Sequence, residues 1–186
     1  MNQIDPKLVA ANSEGVSIRD YDPEWPREFL RERDNLESLL PPGLIKRVEH
    51  FGSTAVPNLA AKPIIDMLIE ISDLETAVEM AVPTLTNLGY EYFWRPTFGS
   101  ADGNPHYAWF IKRNSAGQRS HHIHMVEKSF PHWIRLKFRD YLVANPNAAQ
   151  EYATLKRELA SLHPNDRTAY AAGKSKFIAK IMKLAG

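Results

Sequence analysis

Glu49–Ile71, EHFGSTAVPNLAAKPIIDMLIEI, is the stretch whose reading decides the fold of this chain. An apolar residue is followed by the Gly52-Ser53 step, and, with twelve residues between Ser53 and it, a carboxylate, Asp66, stands inside a run of aliphatic side chains. KPIIDMLIEI is nearly continuous and rich in β-branched residues, so it reads as a central buried strand with Lys62-Pro63 at its entry. An ionised carboxylate in such surroundings requires a partner, a metal ion or a raised pKa. Two explanations stand side by side. The first is structural: a strand-end salt bridge, with Lys62 as partner, or a hydrogen bond to neighbouring backbone. The second is functional: a strand, a tight Gly-Ser turn and a helix N-terminus would present unpaired N–H groups to a phosphate, with the Ser53 hydroxyl as a further donor.

Working outward, DPEWPREFLRERDNLESLLPPG places Trp25, Phe29, Leu36 and Leu40 at helical spacing between an Asp-Pro start and a Pro-Pro-Gly stop. LIKRVEHFG then reads as a strand that delivers its end to the glycine turn. Beyond the central strand, Leu74, Val78, Ala81, Leu85 and Leu88 keep one helical face across Pro83, which predicts a kinked helix capped near Gly89. YEYFWR, HYAWFIKR and RSHHIHMVE are three further strands, with the turn-rich PTFGSADGNP between the first two and NSAG as a hairpin connection between the last two. The remainder is helical, in three segments: HWIRLKFRDYLVAN, NAAQEYATLKRELASLH and DRTAYAAGKSKFIAKIMKLAG. Residues 1–15 read as a flexible tail and 16–186 as a single domain. The order predicts an α+β domain: a mixed sheet of about five strands, flanking helices and a C-terminal three-helix segment.

Composition narrows the chemistry. With 186 residues, 44% hydrophobic and 24% charged, the chain is of one-domain size and neither disordered nor fibrous. Twenty-three basic against 22 acidic residues leave a net charge of +1, too little to draw a long nucleic acid, so any phosphate chemistry is local. No cysteine means no disulfide, thiolate metal site or thiol nucleophile. The first residues lack a signal-peptide pattern and no run approaches the ~20 apolar residues of a membrane span, so a cytoplasmic protein without membrane contact is expected.

Hydrophobic-Gly-Ser, twelve residues and a strand aspartate resemble the first half of the nucleotidyltransferase superfamily pattern, in which that aspartate holds a divalent ion bridging a triphosphate. The second acid of that pattern would fall at Leu68. Glu70 shares the face but lies roughly 13 Å along the strand at ~3.3 Å per residue. His122 and His124 of SHHIHMVE share a strand face, so an adjacent strand brings two imidazoles toward Asp66. Asp66, His122 and His124 would form a ligand set for manganese, zinc or iron; the alternative is that the histidines bond structural carboxylates or line a polar cleft. In the last helix Tyr170, Phe177, Ile178, Ile181 and Leu184 form an apolar stripe, and Lys174 falls inside it. Such a lysine either snorkels to water or points into an anion-binding cleft, and Lys156 stands at the edge of a similar stripe. Trp25, Trp94, Trp109 and Trp133 read as core or cleft packing.

VEHFGSTAVPNLAAKPIIDMLI, HHIHMVE, FRDYLVANP, EYATLKRELA and DRTAYAAGKSKFI, in this order, resemble the GrpB-like family, the glutamate-rich protein GrpB group, over about Val16 to Met182. The resemblance implies a nucleotidyltransferase-like fold, and a nucleotide context, since a similar domain is fused to dephospho-coenzyme A kinase in some bacteria. It also implies Gly52, Ser53, Lys62, Lys156 and Tyr170 at a phosphate-binding site, Asp66 and Lys174 as catalytic groups, and Asp66, His122 and His124 around a divalent metal, Mg or Mn with Zn as a further option. The function expected is metal-dependent transfer of a nucleotidyl group to a small molecule. The alternatives are a metal-dependent phosphohydrolase in the same pocket and a non-catalytic nucleotide-binding module.

Overall fold

A computed structural model of the chain describes residues 14–96 and 105–186. Most of the tail expected over residues 1–15, and most of the PTFGSADGNP loop, lie outside the described residues. Five strands form one mixed sheet: β1 (Ile45–Phe51), β2 (Ile65–Ile71), β3 (Glu91–Pro96), β4 (His106–Arg113) and β5 (Arg119–Val126), in the order β1-β2-β5-β4-β3. Only the β2–β5 pairing is parallel. Six α-helices are described: α1 (Trp25–Leu39), α2 (Leu74–Asn87), α3 (Arg135–Ala144), α4 (Pro146–Leu162), α5 (Arg167–Gly173) and α6 (Ser175–Leu184). The α+β architecture with a mixed five-strand sheet and a helical C-terminal segment is the one expected from the sequence.

Local chemistry sets the element ends. Asp73 caps α2 by accepting from the Thr76 N–H at 2.7 Å. Gly89, at φ +85°, ends it: its N–H reaches Thr86 O and the Tyr90 N–H reaches Leu85 O, both at 3.0 Å. The period of two in β2 divides the two cores. Ile65, Met67, Ile69 and Ile71 pack with Leu36 of α1 and with Ala77, Ala81 and Leu85 of α2. Asp66 and Leu68 face the other way, where Leu68 joins Phe51, Tyr107, Trp109, Phe130 and Leu136. Each aliphatic side chain buried in this way contributes about 1.5–3 kcal/mol.

Three details differ from the sequence reading. Asp66 lies near the entry of β2 and not midway along it, because Lys62–Ile64 form a turn, Ile64 N–H to Lys62 O at 2.8 Å, before the strand begins at Ile65. The last expected helix is two: α5 closes with the Lys174 N–H on Ala171 O, and α6 opens from Lys174 O, which accepts from the Ile178 N–H. The stripe from Tyr170 to Leu184 is therefore interrupted at Lys174, and Leu184 is exposed. Trp94 is half exposed, unlike the buried Trp25 and Trp109. Among the described residues no helix is long and apolar enough to cross a membrane.

Candidate functional site

β1 delivers Phe51 to Gly52, whose φ of +77° and ψ of −172° suit glycine alone. A Cβ built on Gly52 would stand 2.3 Å from Oδ2 of Asp66, so the carboxylate rests directly on the bare Cα. The chain then makes one 3-10 turn, Ser53–Ala55, and leaves helical dihedrals at Val56, ahead of Pro57, which disfavours α backbone before it. The helix N-terminus expected after Gly52-Ser53 is thus absent, and with it the dipole of a regular helix. The turn is fixed from below by buried Thr54, whose hydroxyl donates to Ile64 O at 3.1 Å and meets His50 Nε2 at 3.0 Å. Ser53 stands beside the buried phenol of Tyr152.

The register places Phe51, Asp66 and His122 side by side across β1, β2 and β5. The Asp66 side chain is 28% exposed and that of His122 13%. Oδ1 of Asp66 lies 3.0 Å from His122 Nδ1, and Nε2 of the same ring lies 3.3 Å from Arg119 Nη1. Arg119 Nε meets Glu14 Oε2 at 2.8 Å. A guanidinium only donates, so Nε2 of His122 accepts and Nδ1–H donates to Asp66. Burial pushes the Asp66 carboxyl up, but the His122 hydrogen bond and the charges of His122, Lys62 and His50 outweigh it and hold the group below its usual range. Burial holds His122 below its usual value against the pull of Asp66.

His124 lies one pleat further along, between Leu68 and Trp109 in register. It is buried, stacked on Tyr107 at 5.4 Å and edge-on to Phe51 at 5.2 Å, and its Nδ1 is buried without a hydrogen bond. Among the described residues no three His, Asp or Glu side chains are grouped to hold a metal ion. Of the expected set Asp66, His122 and His124, the fold joins Asp66 to His122 alone, and both nitrogens of that ring are engaged.

Cations surround the carboxylate. Lys62 Nζ lies 5.3 Å and Lys174 Nζ 4.5 Å from the ring centroid of Tyr170, a side chain 1% exposed. Asp66 acts as a counter-charge on both of these ammonium groups. Burial, then the charges of Lys174 and Arg167, push Lys62 down to about 7, with Asp66 opposing and Arg119 adding to the fall. Burial lowers Lys174 as well. Arg167 donates from Nε to Glu14 O at 3.0 Å and from Nη2 to Gly15 O at 3.3 Å. Lys156 serves differently. Its buried ammonium donates to Ala60 O and sits 4.7 Å from the Tyr152 ring, pushed down to about 6 by burial and nearby cations. It clasps the loop after the 3-10 turn to α4.

Gly52, Ser53, Lys62, Asp66, His122, Tyr170 and Lys174 therefore form one neighbourhood, with Lys156 beneath it and His124 aside. Glu14, Arg119 and Arg167 were not singled out from the sequence. Arg119 stands three residues before His122, but its importance depends on Glu14 from the other end of the chain, and no local pattern announces that pairing. Open hollows of about 420 Å³, bounded by Tyr141, Asn145, Glu151 and Lys180, and about 640 Å³, bounded by Leu74, Val78, Tyr92 and Trp94, lie elsewhere and touch none of these groups.

Residues 15–184 match the family model described as GrpB protein. The chain is 32% identical to the glutamate-rich protein GrpB of Alkalihalophilus pseudofirmus, over 94% of this chain and 98% of that protein. It is 40% identical to the UPF0157 protein YqkA of Bacillus subtilis, over 88% of this chain but only 45% of YqkA's length. A dephospho-CoA kinase of Mycobacterium bovis is 33% identical over 73% of this chain and 37% of its own. Among solved structures, GrpB from Enterococcus faecalis superposes with a TM-score of 0.77 at 36% identity, covering 91% of this chain and 96% of that one.

Proposed function

The chain belongs to the GrpB family, and we propose that its Asp66 site binds the phosphates of a nucleotide or other phosphorylated small molecule and transfers a nucleotidyl group to a small acceptor. The observation that carries this reading is the convergence of Lys62 and Lys174 on the Tyr170 ring with one carboxylate, Asp66, as their counter-charge. Two ammonium groups with so little compensation favour a multiply charged anion. The donors do not suit a metal held by three or four protein ligands, the arrangement zinc takes. They suit magnesium or manganese arriving with a polyphosphate, which needs one or two carboxylates and completes its shell with phosphate oxygens and water. Asp66 would be that carboxylate, and the ion would neutralise phosphate charge. Lys62 and Lys174 would orient the phosphates, and Gly52 keeps the approach to Asp66 free of a side chain.

One observation favours a second reading, a nucleotide-binding module without turnover. Leu68, fully buried, stands where a second carboxylate would share the ion, and His122 is committed to Asp66 and Arg119.

Titration calorimetry with Mg·ATP and with metal-free pyrophosphate tests both. Asp66→Asn is expected to weaken Mg·ATP binding at least ~10-fold, about 1.4 kcal/mol, while metal-free pyrophosphate binds as well or better because a like charge has gone. Lys62→Met and Lys174→Met should weaken both. Pyrophosphate release from ATP supports transfer, phosphate release without acceptor supports hydrolysis, and binding without either supports the module. A wild type that binds neither probe at millimolar concentration removes the proposal.

A further inference from the structure

Glu14, Arg119, His122 and Asp66 form a continuous chain of contacts from the start of the described residues to the carboxylate of the site. We infer that Arg119 and Glu14 are positioning residues for Asp66: they hold the proton of His122 on Nδ1 from the far side of the ring, independently of the carboxylate that receives it, and so keep an N–H aimed at Asp66. The inference goes beyond the phosphate-binding proposal and stands whether or not Asp66 ever meets a phosphate.

A neutral imidazole has one donor and one acceptor, and the two tautomers are close in energy until the surroundings choose. Here they choose on both sides. With the proton on Nδ1, His122 donates to Asp66 Oδ1 at 3.0 Å and accepts from Arg119 Nη1 at 3.3 Å. With the proton on Nε2, a lone pair would face a carboxylate and an N–H would face a guanidinium, so both contacts turn repulsive. The ring itself has little freedom, being edge-on to Trp109 at 5.2 Å and 13% exposed.

Arg119 can impose this only if its guanidinium is held, and it is. Its side chain is 5% exposed, and Nε forms an ion pair with Glu14 Oε2 at 2.8 Å. Glu14 is braced in turn by Arg113 Nη2 on Oε1 at 2.7 Å and by Arg167 Nη2 on Oε2 at 3.4 Å. Arg167 also grips the backbone oxygens of Glu14 and Gly15. β4, β5 and α5 thus each send one arginine to one carboxylate. Simple anchoring of the chain at Glu14 would account for the arginine contacts, but it would leave the proton of His122 to Asp66 alone.

The ring ¹⁵N signals of His122, assigned by their loss in His122→Gln, separate the two accounts. In the wild type Nδ1 is expected to be protonated and Nε2 bare. Asp66→Ala removes the carboxylate's own demand for a donor and should keep the wild-type pattern; adding Arg119→Met or Glu14→Ala to it should shift His122 toward the Nε2–H form or a mixture, whereas adding Arg119→Lys, which supplies another obligatory donor, should not. Circular dichroism shows that each variant is folded before its spectrum is read; should one fail to fold, the other decides. An Nε2–H signal in the wild type overturns the inference outright. So does a folded Asp66→Ala that loses the Nδ1–H pattern with Arg119 in place, or a folded double variant, Asp66→Ala with Arg119→Met or with Glu14→Ala, that retains it in full.

Discussion

At Gly52 the side chain that is missing matters more than those present. Its backbone conformation costs other residues about 1–3 kcal/mol, and a methyl group there would press on Asp66 Oδ2 from 2.3 Å. Gly52→Ala is therefore expected to lower the unfolding free energy in urea by at least ~2 kcal/mol. Gly117 is the control, since it has a positive φ of +74° but nothing within 4 Å of a Cβ, and Gly117→Ala carries the backbone cost alone. Equal losses in the two variants would mean that Asp66 does not rest on Gly52. Gly52 and Asp66 were legible in the sequence because each breaks a local rule: a glycine at the end of an apolar strand, and a carboxylate inside one. Glu14, Arg119 and Arg167 break none. A charged residue in a polar stretch is ordinary, and pairing across the whole chain leaves no periodic trace. His124 was half legible, because strand alternation fixes its face but not its distance, and two residues along a strand is ~6.6 Å.

Elements whose period is set by one partner were read well, and those set by two were not. β2 shows itself as a nearly continuous apolar run and β5 by its alternation, because each sheet face packs against a single layer. The helical pattern from Arg167 onward breaks at Lys174 because α5 must turn Tyr170 toward Val16 and Leu159, while α6 sends Phe177 to stack on Tyr152 at 4.9 Å. Gly173 makes the junction possible: a Cβ there would fall 2.4 Å from Leu159 Cδ2 and 3.0 Å from Cδ1. Gly173→Ala should thus push α5 off α4, cost about 1–3 kcal/mol as overpacking does, and weaken pyrophosphate binding by moving Tyr170 and Lys174. Leu159→Ala placed on top should recover part of both losses. If Gly173→Ala alone keeps wild-type stability and affinity, the close contact does not set where Lys174 stands.

Across the described residues the histidines and lysines that burial shifts share one sign. Burial pushes His50 and His121 down to about 4 and His132 to about 3, against an ordinary value of 6.5. Lys62 and Lys156 are pushed to about 7 and about 6 from 10.5. A basic group with a depressed folded pKa binds fewer protons than the unfolded chain between its two values, so stability rises with pH through that interval. The histidines act between about 3 and 6.5, and the lysines between about 6 and 10.5. Asp66, Glu14 and Glu49, held low, add loss of stability in acid. The opposite sign enters at alkaline pH, where Tyr90, Tyr152 and Tyr170 are held above their usual value of 10 and favour the unfolded chain once it ionises. Tm should accordingly climb from pH 4 to about 9 and turn over above about 10, and Lys62→Met should flatten the climb between 7 and 9. An anion seated against Lys62 restores its proton, so the rise in Tm produced by pyrophosphate should be larger at pH 6 than at pH 9. Thermal unfolding across this range in both proteins, with and without pyrophosphate, checks the whole scheme. A maximum near pH 7 would show that Lys62 is not as buried as the fold places it, and a pyrophosphate effect that grows with pH would show that the anion does not bind against Lys62 as proposed.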